Sequence, residues 1–192
     1  GLVTVGNTVS TTFSGNVTLD DGSLTGIVGN VTLNPRQFID LRELLEAGID
    51  KSKKVYDGKG KPIAVDILKQ VYNEITEKRD PWRSEWLDAR FTSKGRSLEI
   101  NYDHRLSGGN LTAGKSEALE AYVGENSWVD VTSFNRQGLP KKKSATEKLY
   151  YWFPVDGSVA RFNANSDWAL LGCDGNPSYA SASLGVRPAR KK

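Results

Sequence analysis

An α+β domain, two helices packed against short and largely antiparallel strands, is the fold class that the sequence predicts. Apolar residues recur at three- and four-residue steps in two stretches between Asn34 and Asp80. Strand-like runs follow from Ala89 onward, and connections containing Gly108-Gly109-Asn110, Gly124-Glu125-Asn126 and Gln137-Gly138-Leu139-Pro140 separate them. The chain has 192 residues, 38% of them hydrophobic and 26% charged. That length suits one domain, or one domain with a small appendage, burying roughly 70% of its unfolded surface.

The appendage is expected at the N-terminus. Residues 1–33 are rich in Thr, Val, Gly, Asn and Ser and break into short strand-like runs at Asp20-Asp21-Gly22 and Gly29-Asn30. Gly15-Asn16-Val17-Thr18-Leu19 returns as Gly29-Asn30-Val31-Thr32-Leu33, which hints at a strand repeat. An arm this short buries little alone, so residues 1–33 are read as a β-rich assembly arm that pairs with a neighbouring subunit or a larger particle. An N-terminal hairpin folded onto its own domain is the other reading.

The grammar changes at Leu33-Asn34-Pro35, the start of a domain over 34–192. Asn34 is a helix cap, Pro35 suits the first helical position, and Phe38, Leu41, Leu44 and Leu45 form the stripe until Gly48 stops it. After a basic loop, a second helix is expected to open near Pro62. Ile63, Ile67, Val71 and Ile75 form one stripe beside Leu68 and Tyr72, and the helix ends before Asp80-Pro81. Strands are predicted at Ala89–Phe91, Ser97–Tyr102, Leu119–Val123, Trp128–Val131, the aromatic run Tyr150–Phe153, Ser158–Phe162 and Leu184–Val186.

Several function classes lose ground at this level. No apolar run approaches the roughly 20 residues of a membrane helix, and Gly1–Gly6 lack the features of a secretory leader, so neither membrane insertion nor a signal peptide is expected. The net charge is +3, with lysine runs at 51–54 and 141–143 and a basic end at 190–192. Such runs are ordinarily solvated, and no nucleic-acid partner is expected. His104 is the sole histidine and has no recognisable nucleophile beside it, so a hydrogen-bonded structural role is favoured. Cys173 is the sole cysteine: no internal disulfide is possible, zinc lacks ligands, and the thiol is read as core packing. Oxygen ligands for calcium are plentiful, yet their spacing does not fit an EF-hand loop. The segment Lys54–Lys61 lacks the form of a phosphate loop. The expectation is a non-enzymatic chain without cofactor or metal.

The stretch from Asn163 to Ser183 stands apart. It mixes Asn, Asp, Ser and Gly with Tyr and Trp between two strand-like ends, a composition shared with antibody loops, where polar adaptors and rigid aromatics supply contact at low entropic cost. An ordinary polar surface loop is the bland reading of the same residues.

With the aromatic strand from Leu149, Gly157–Phe162 and the terminal Leu184-Gly185-Val186-Arg187, this part of the chain, up to Arg190, resembles the end of C-type-lectin-like domains. The likeness is to the variable proteins diversified by retroelements, among them phage tropism determinants, and it is sharpest over the last third of the chain. It implies a variable display segment at 159–187. The implied framework comprises Val159–Phe162, Ala164, Ser166, Ala169, Leu171, Cys173, Pro177 and Leu184–Arg187. The implied ligand-binding positions are Asn163, Asn165, Asp167, Trp168, Leu170, Asp174, Gly175, Asn176, Ser178, Tyr179, Ser181 and Ser183. The alternation over Asn163–Asp167 is read as a strand showing every second side chain. Trp168 departs from the pattern, because adenine changes in an Asn codon with a fixed final pyrimidine do not reach Trp. The formylglycine-generating branch of the fold uses a pair of redox cysteines that this chain lacks.

The resemblance implies a receptor-binding protein, a tail or fibre adhesin made in host cytoplasm and carried on a virion. Its partners would be a host surface protein or glycan and other virion proteins, and a homo-oligomer, with a trimer favoured, would raise affinity through avidity. The alternative from another class is a structural virion protein, a head decoration or tail connector. A polysaccharide hydrolase comes third, since no carboxylate pair is placed by the sequence.

Overall fold

Asn34 and Pro35 open the first helix through the chemistry expected of them. The Asn34 side chain accepts from the Gln37 backbone N–H at 2.9 Å, and the Gln37 side chain returns the bond to the Asn34 N–H at 3.0 Å, a reciprocal capping box. A computed structural model describes residues 30–57, 60–107, 110–179, 183–186 and 188–190. The expected arm therefore lies outside the described residues except for its last four positions. Asn30–Thr32 form β1, Leu33 is buried in the core, and β1 pairs antiparallel with β12 (Pro188–Arg190), so this end of the arm packs with the domain.

Helix α1 spans Pro35–Ile49 and α2 spans Val65–Thr76. In α1 the buried stripe is Phe38, Ile39, Leu41 and Leu45, whereas Leu44 is 38% exposed. The expected stripe is thus rotated toward Ile39. Helix α2 starts later than Pro62, which is held in a bridge to Tyr56, and ends at Thr76, where Glu77 turns extended. Leu68, Val71 and Ile75 are buried while Ile67 is 43% exposed, so the packed face combines Val71 and Ile75 of the expected stripe with Leu68 beside it.

The strands that follow form an eight-stranded, mostly antiparallel sheet. Its members are β2 (Arg83–Lys94), β3 (Ser97–Tyr102), β6 (Lys115–Ala118), β7 (Ser127–Trp128), β8 (Tyr150–Trp152), β9 (Val159–Ala164), β10 (Ala169–Gly175) and β11 (Leu184–Val186). The order is β6-β3-β2-β9-β10-β8-β7, and β11 lies parallel to the first part of β2. A separate hairpin joins β4 (Arg105–Ser107) to β5 (Asn110–Thr112). This is the α+β class expected, with two helices and mostly antiparallel strands.

Leu119–Val123 is not the strand that its apolar spacing suggests. Its backbone is held by a buried turn instead. Glu120 N–H donates to the Gln137 side chain at 2.9 Å, and Val123 N–H donates to the Pro140 carbonyl at 2.8 Å. The Gln137 amide also bonds the Ala118 carbonyl at 2.9 Å, and Asn135 Oδ1 accepts from the backbone N–H of Gln137 and Leu139, both at 2.9 Å. The predicted strand at Trp128–Val131 shortens to Ser127–Trp128, with Val129 in an isolated bridge to Lys143.

Gly138 is the pivot of this turn. Its φ is +82°, and a Cβ there would lie 2.3 Å from the Arg36 nitrogen and 2.4 Å from the Pro35 carbonyl carbon. The turn thus presses directly on the first residues of α1, a fit open only to glycine. Gly138→Ala is expected to destabilise the protein by about 3 kcal/mol through left-handed strain and overpacking. Urea unfolding checks it, and a loss within experimental error would show that the turn can move off the helix.

Candidate functional site

The site follows from the pleat of β9 and β10. Register pairs Leu171 with Phe162, Gly172 with Arg161 and Leu170 with Asn163, and on β2 it sets Glu85, Trp86 and Ser84 beside the same three β9 residues. Side chains alternate across a sheet, so each of these rows occupies one face. Phe162 meets Phe38 of α1 with ring centroids 4.8 Å apart, and Phe162, Leu171, Cys173 and Ala160 belong to the core beneath the helices. Arg161, Asn163, Gly172 and, next on the same face, Asp174 are thereby turned to the opposite side.

There Arg161, Asn163 and Asp174 floor an open cleft of about 560 Å³. One wall is the turn after β9, with Asn165 and Ser166; the other is Asn176 and Tyr179 after β10. The loop between α2 and β2 closes the third side with Arg79, Asp80 and Trp82. Tyr179 stacks on Trp82, centroids 6.4 Å apart and planes 20° from parallel, and remains 46% exposed. The Arg79 backbone N–H donates to the Asn165 carbonyl at 3.0 Å, tying the third side to the first.

The electrostatics of the floor are unbalanced. Arg161 Nε, Arg79 Nε and Asp174 Oδ1 are buried atoms without a hydrogen-bond partner. Arg161 and Asp174 flank Gly172: a Cβ on that glycine would lie 3.5 Å from Arg161 Nε and 3.4 Å from Asp174 Oδ1. Burial pushes the Asp174 carboxyl above its ordinary 3.8, against the opposing pull of Arg161 and a backbone N–H.

Of the residues expected to display, Asn163, Asn165, Asp174, Asn176 and Tyr179 line this cleft. Asn163 does so as a buried residue, 7% exposed, whose amide oxygen is bonded by the Ser84 hydroxyl. Leu170 is 4% exposed, and its cross-strand neighbour on that face is Tyr150, so it packs rather than displays. Gly175 is also buried. A Cβ there would come within 2.7 Å of the Val159 carbonyl, and the close crossing of strands leaves no room for a variable side chain.

The segment is not one continuous loop, because β10 runs through its middle. The expected alternating strand over Asn163–Asp167 stops at Ala164. Asn165 then folds the chain back, its Oδ1 accepting from the backbone N–H of Asp167 and Trp168 at 2.9 and 2.8 Å. Trp168 is not part of the cleft lining and joins a ring cluster with Trp128 and Tyr150, at centroid distances of 5.8 and 5.5 Å. Asp167 and Ser178 are exposed, Ser183 is half-buried and gives its carbonyl to the Ser84 N–H, and Ser181 lies outside the described residues. Among the framework positions Ala164, Leu171 and Cys173 are buried, but Ser166 and Pro177 are exposed.

Sequence reasoning missed Arg79, Trp82 and Arg161. Arg161 carried a usable signal, a charge flanked by the apolar residues Ala160 and Phe162 within a strand. Arg79 and Trp82 carried none, since only folding brings their loop to the segment. Elsewhere, His104 Nδ1 lies 2.5 Å from Asp88 Oδ1, and its backbone N–H bonds the other carboxylate oxygen, as a structural histidine would. Burial, then the nearby Asp174 charge, pushes the Cys173 thiol far up, the reverse of what a nucleophile needs. Among the described residues no group of three or more His, Cys, Asp or Glu is placed to hold a metal ion, and no helix is long and apolar enough to cross a membrane. Comparisons with protein-family models, with curated proteins and with solved structures find no match.

The raised Asp174 carboxyl has a measurable effect. The folded state holds this proton more tightly than the unfolded chain, so its contribution is most favourable below 3.8 and is lost as pH rises through the folded value. Asp174→Asn, which cannot ionise, is expected to be more stable than the native protein at neutral pH and to lose that advantage below 3.8. Urea midpoints at the two pH values test the sign; a variant less stable at neutral pH would show that the carboxylate is satisfied in the fold.

Proposed function

We propose that the chain is a ligand-binding protein with a C-type-lectin-like fold, a phage tail or fibre adhesin that recognises a host surface protein or glycan at the cleft over β9 and β10. The observation that carries this reading is the meeting of Asn163, Asn165, Asp174, Asn176 and Tyr179 in one cleft whose floor holds charged atoms without partners. Unsatisfied buried polar groups cost stability, and a site that keeps them is suited to a ligand that satisfies them. The cleft size falls in the range typical of small-ligand sites.

The mechanism is non-covalent recognition. The sheet fixes the floor, hydrogen-bonded turns fix the walls, and little ordering remains to be done on binding. Tyr179, backed by Trp82, is the aromatic anchor. The resemblance at the end of the chain supports assignment to a virion and to a homo-oligomer, a trimer in this proposal, with residues before β1 as the assembly element.

Tyr179→Ala is expected to lower binding of the labelled protein to a panel of bacterial cells at least tenfold, with a melting temperature shift of about 2 °C or less, because the side chain is exposed and makes no hydrogen bond among the described residues. Native protein that binds no cell in the panel but does bind isolated virion parts would replace this reading with that of a structural virion component.

A further inference from the structure

The arginine at the centre of the cleft floor is unusual in having nothing to hold. Arg161 makes no hydrogen bond and no ion pair through its side chain among the described residues, although it sits on a central strand next to β10. Its natural partner, Asp174, is nearby on the same face but not bonded to it, and the carboxylate has a buried oxygen without a partner. Gly172, directly across from Arg161 in the register, keeps the space between them clear. A planar guanidinium offers a fork of N–H donors that matches a carboxylate, while Asp174 offers an acceptor that matches a hydroxyl. A ligand that satisfies both must carry an anionic acceptor and a hydroxyl donor a few ångströms apart.

The wall supplies the third requirement. Tyr179 and Trp82 present a broad aromatic surface at the cleft, suited to the C–H face of a pyranose ring, with the amide of Asn176 on the same wall and that of Asn165 on the opposite one. Asp80 also lines the cleft, but it is exposed at the rim, where solvent screens it. Arg79 adds a second cation, one Nη bonded to the Glu74 carbonyl at 2.9 Å and its Nε unpartnered.

We infer that the cleft binds a carboxylate-bearing sugar, a uronic or sialic acid at the end of a surface glycan, with Arg161 holding the carboxylate, Asp174 accepting a ring or side-chain hydroxyl, and Tyr179 and Trp82 packing on the ring. The inference rests on the ligand-binding reading above and narrows it to one chemical class.

The test uses the full chain on an array of uronic- and sialic-acid-terminated oligosaccharides, each beside its methyl ester, followed by titration of the strongest ligand. The acid is expected to bind at least tenfold more tightly than its ester, and Arg161→Gln to lose about 10- to 100-fold, the usual worth of a charge-assisted hydrogen bond. Arg161→Lys should recover only part of that loss, because it keeps the charge and not the fork. Gly172→Ala provides a variant that the fold tolerates, since its methyl would meet both neighbours at ordinary contact distance, and it should weaken the acid by narrowing the floor. Equal binding of acid and ester, or unchanged binding by a folded Arg161→Gln, overturns the inference. Binding to cells that depends on Tyr179, with no acidic saccharide bound on the array, also overturns it but leaves the ligand-binding reading standing. Loss of both cell and saccharide binding in the native protein sinks the two together.

Discussion

The pleat shared by β9 and β10 is the constraint on which the site depends. Phe162 and Leu171 face each other across the two strands, and their burial with Cys173 under α1 fixes which way every neighbouring residue points. A slip of one residue would carry the whole apolar set to solvent and bring Arg161 and Asp174 into the core, at the price of burying two charges. Register is therefore set by the hydrophobic side, and the polar side inherits its geometry.

The same economy explains why the glycines fall where they do. Gly172 leaves the floor open between Arg161 and Asp174, and Gly175 lets the irregular end of the β9–β10 pair pass close to Val159. Gly138, remote from the cleft, performs the same service at the N-terminus of α1. The charged floor works against stability, since a carboxylate with a raised pKa and a guanidinium without a partner both disfavour the folded state. The well-packed helix face on the other side of the sheet compensates for this cost.

Local rules were legible in the sequence where they act within a few residues. The Asn34-Pro35 start, β3 at Ser97–Tyr102 and the core role of Cys173 all follow from capping chemistry, alternation and the scarcity of reactive partners. The failures share a cause in contacts distant along the chain. Leu119–Val123 has a strand's composition, but Gln137 and Pro140 claim its N–H groups. Ala169–Gly175 has the composition of a loop because its glycines mask a strand that pairs on both sides, with β9 and β8. The cleft was half visible: the residues after β9 and β10 announce themselves by composition, whereas Arg79 and Trp82 arrive only through the turn from α2 into the sheet.

That division bears on which positions of the segment are free to change. Asn165 and Asn176 line the cleft, yet each spends its side-chain oxygen on the following turn, Asn176 accepting from the Ser178 N–H at 2.9 Å. Replacing either loosens a wall of the cleft, because the turn depends on that oxygen. Trp168 is committed to the rings of Trp128 and Tyr150, and Gly175 and Leu170 to packing. Ser166, Asp167, Ser178 and Tyr179 are different: they are exposed, and their side chains make no hydrogen bond among the described residues. The fold therefore constrains these four side chains least, two of them, Ser166 and Tyr179, in the lining of the cleft, while the sheet beneath fixes the positions of Arg161 and Asp174.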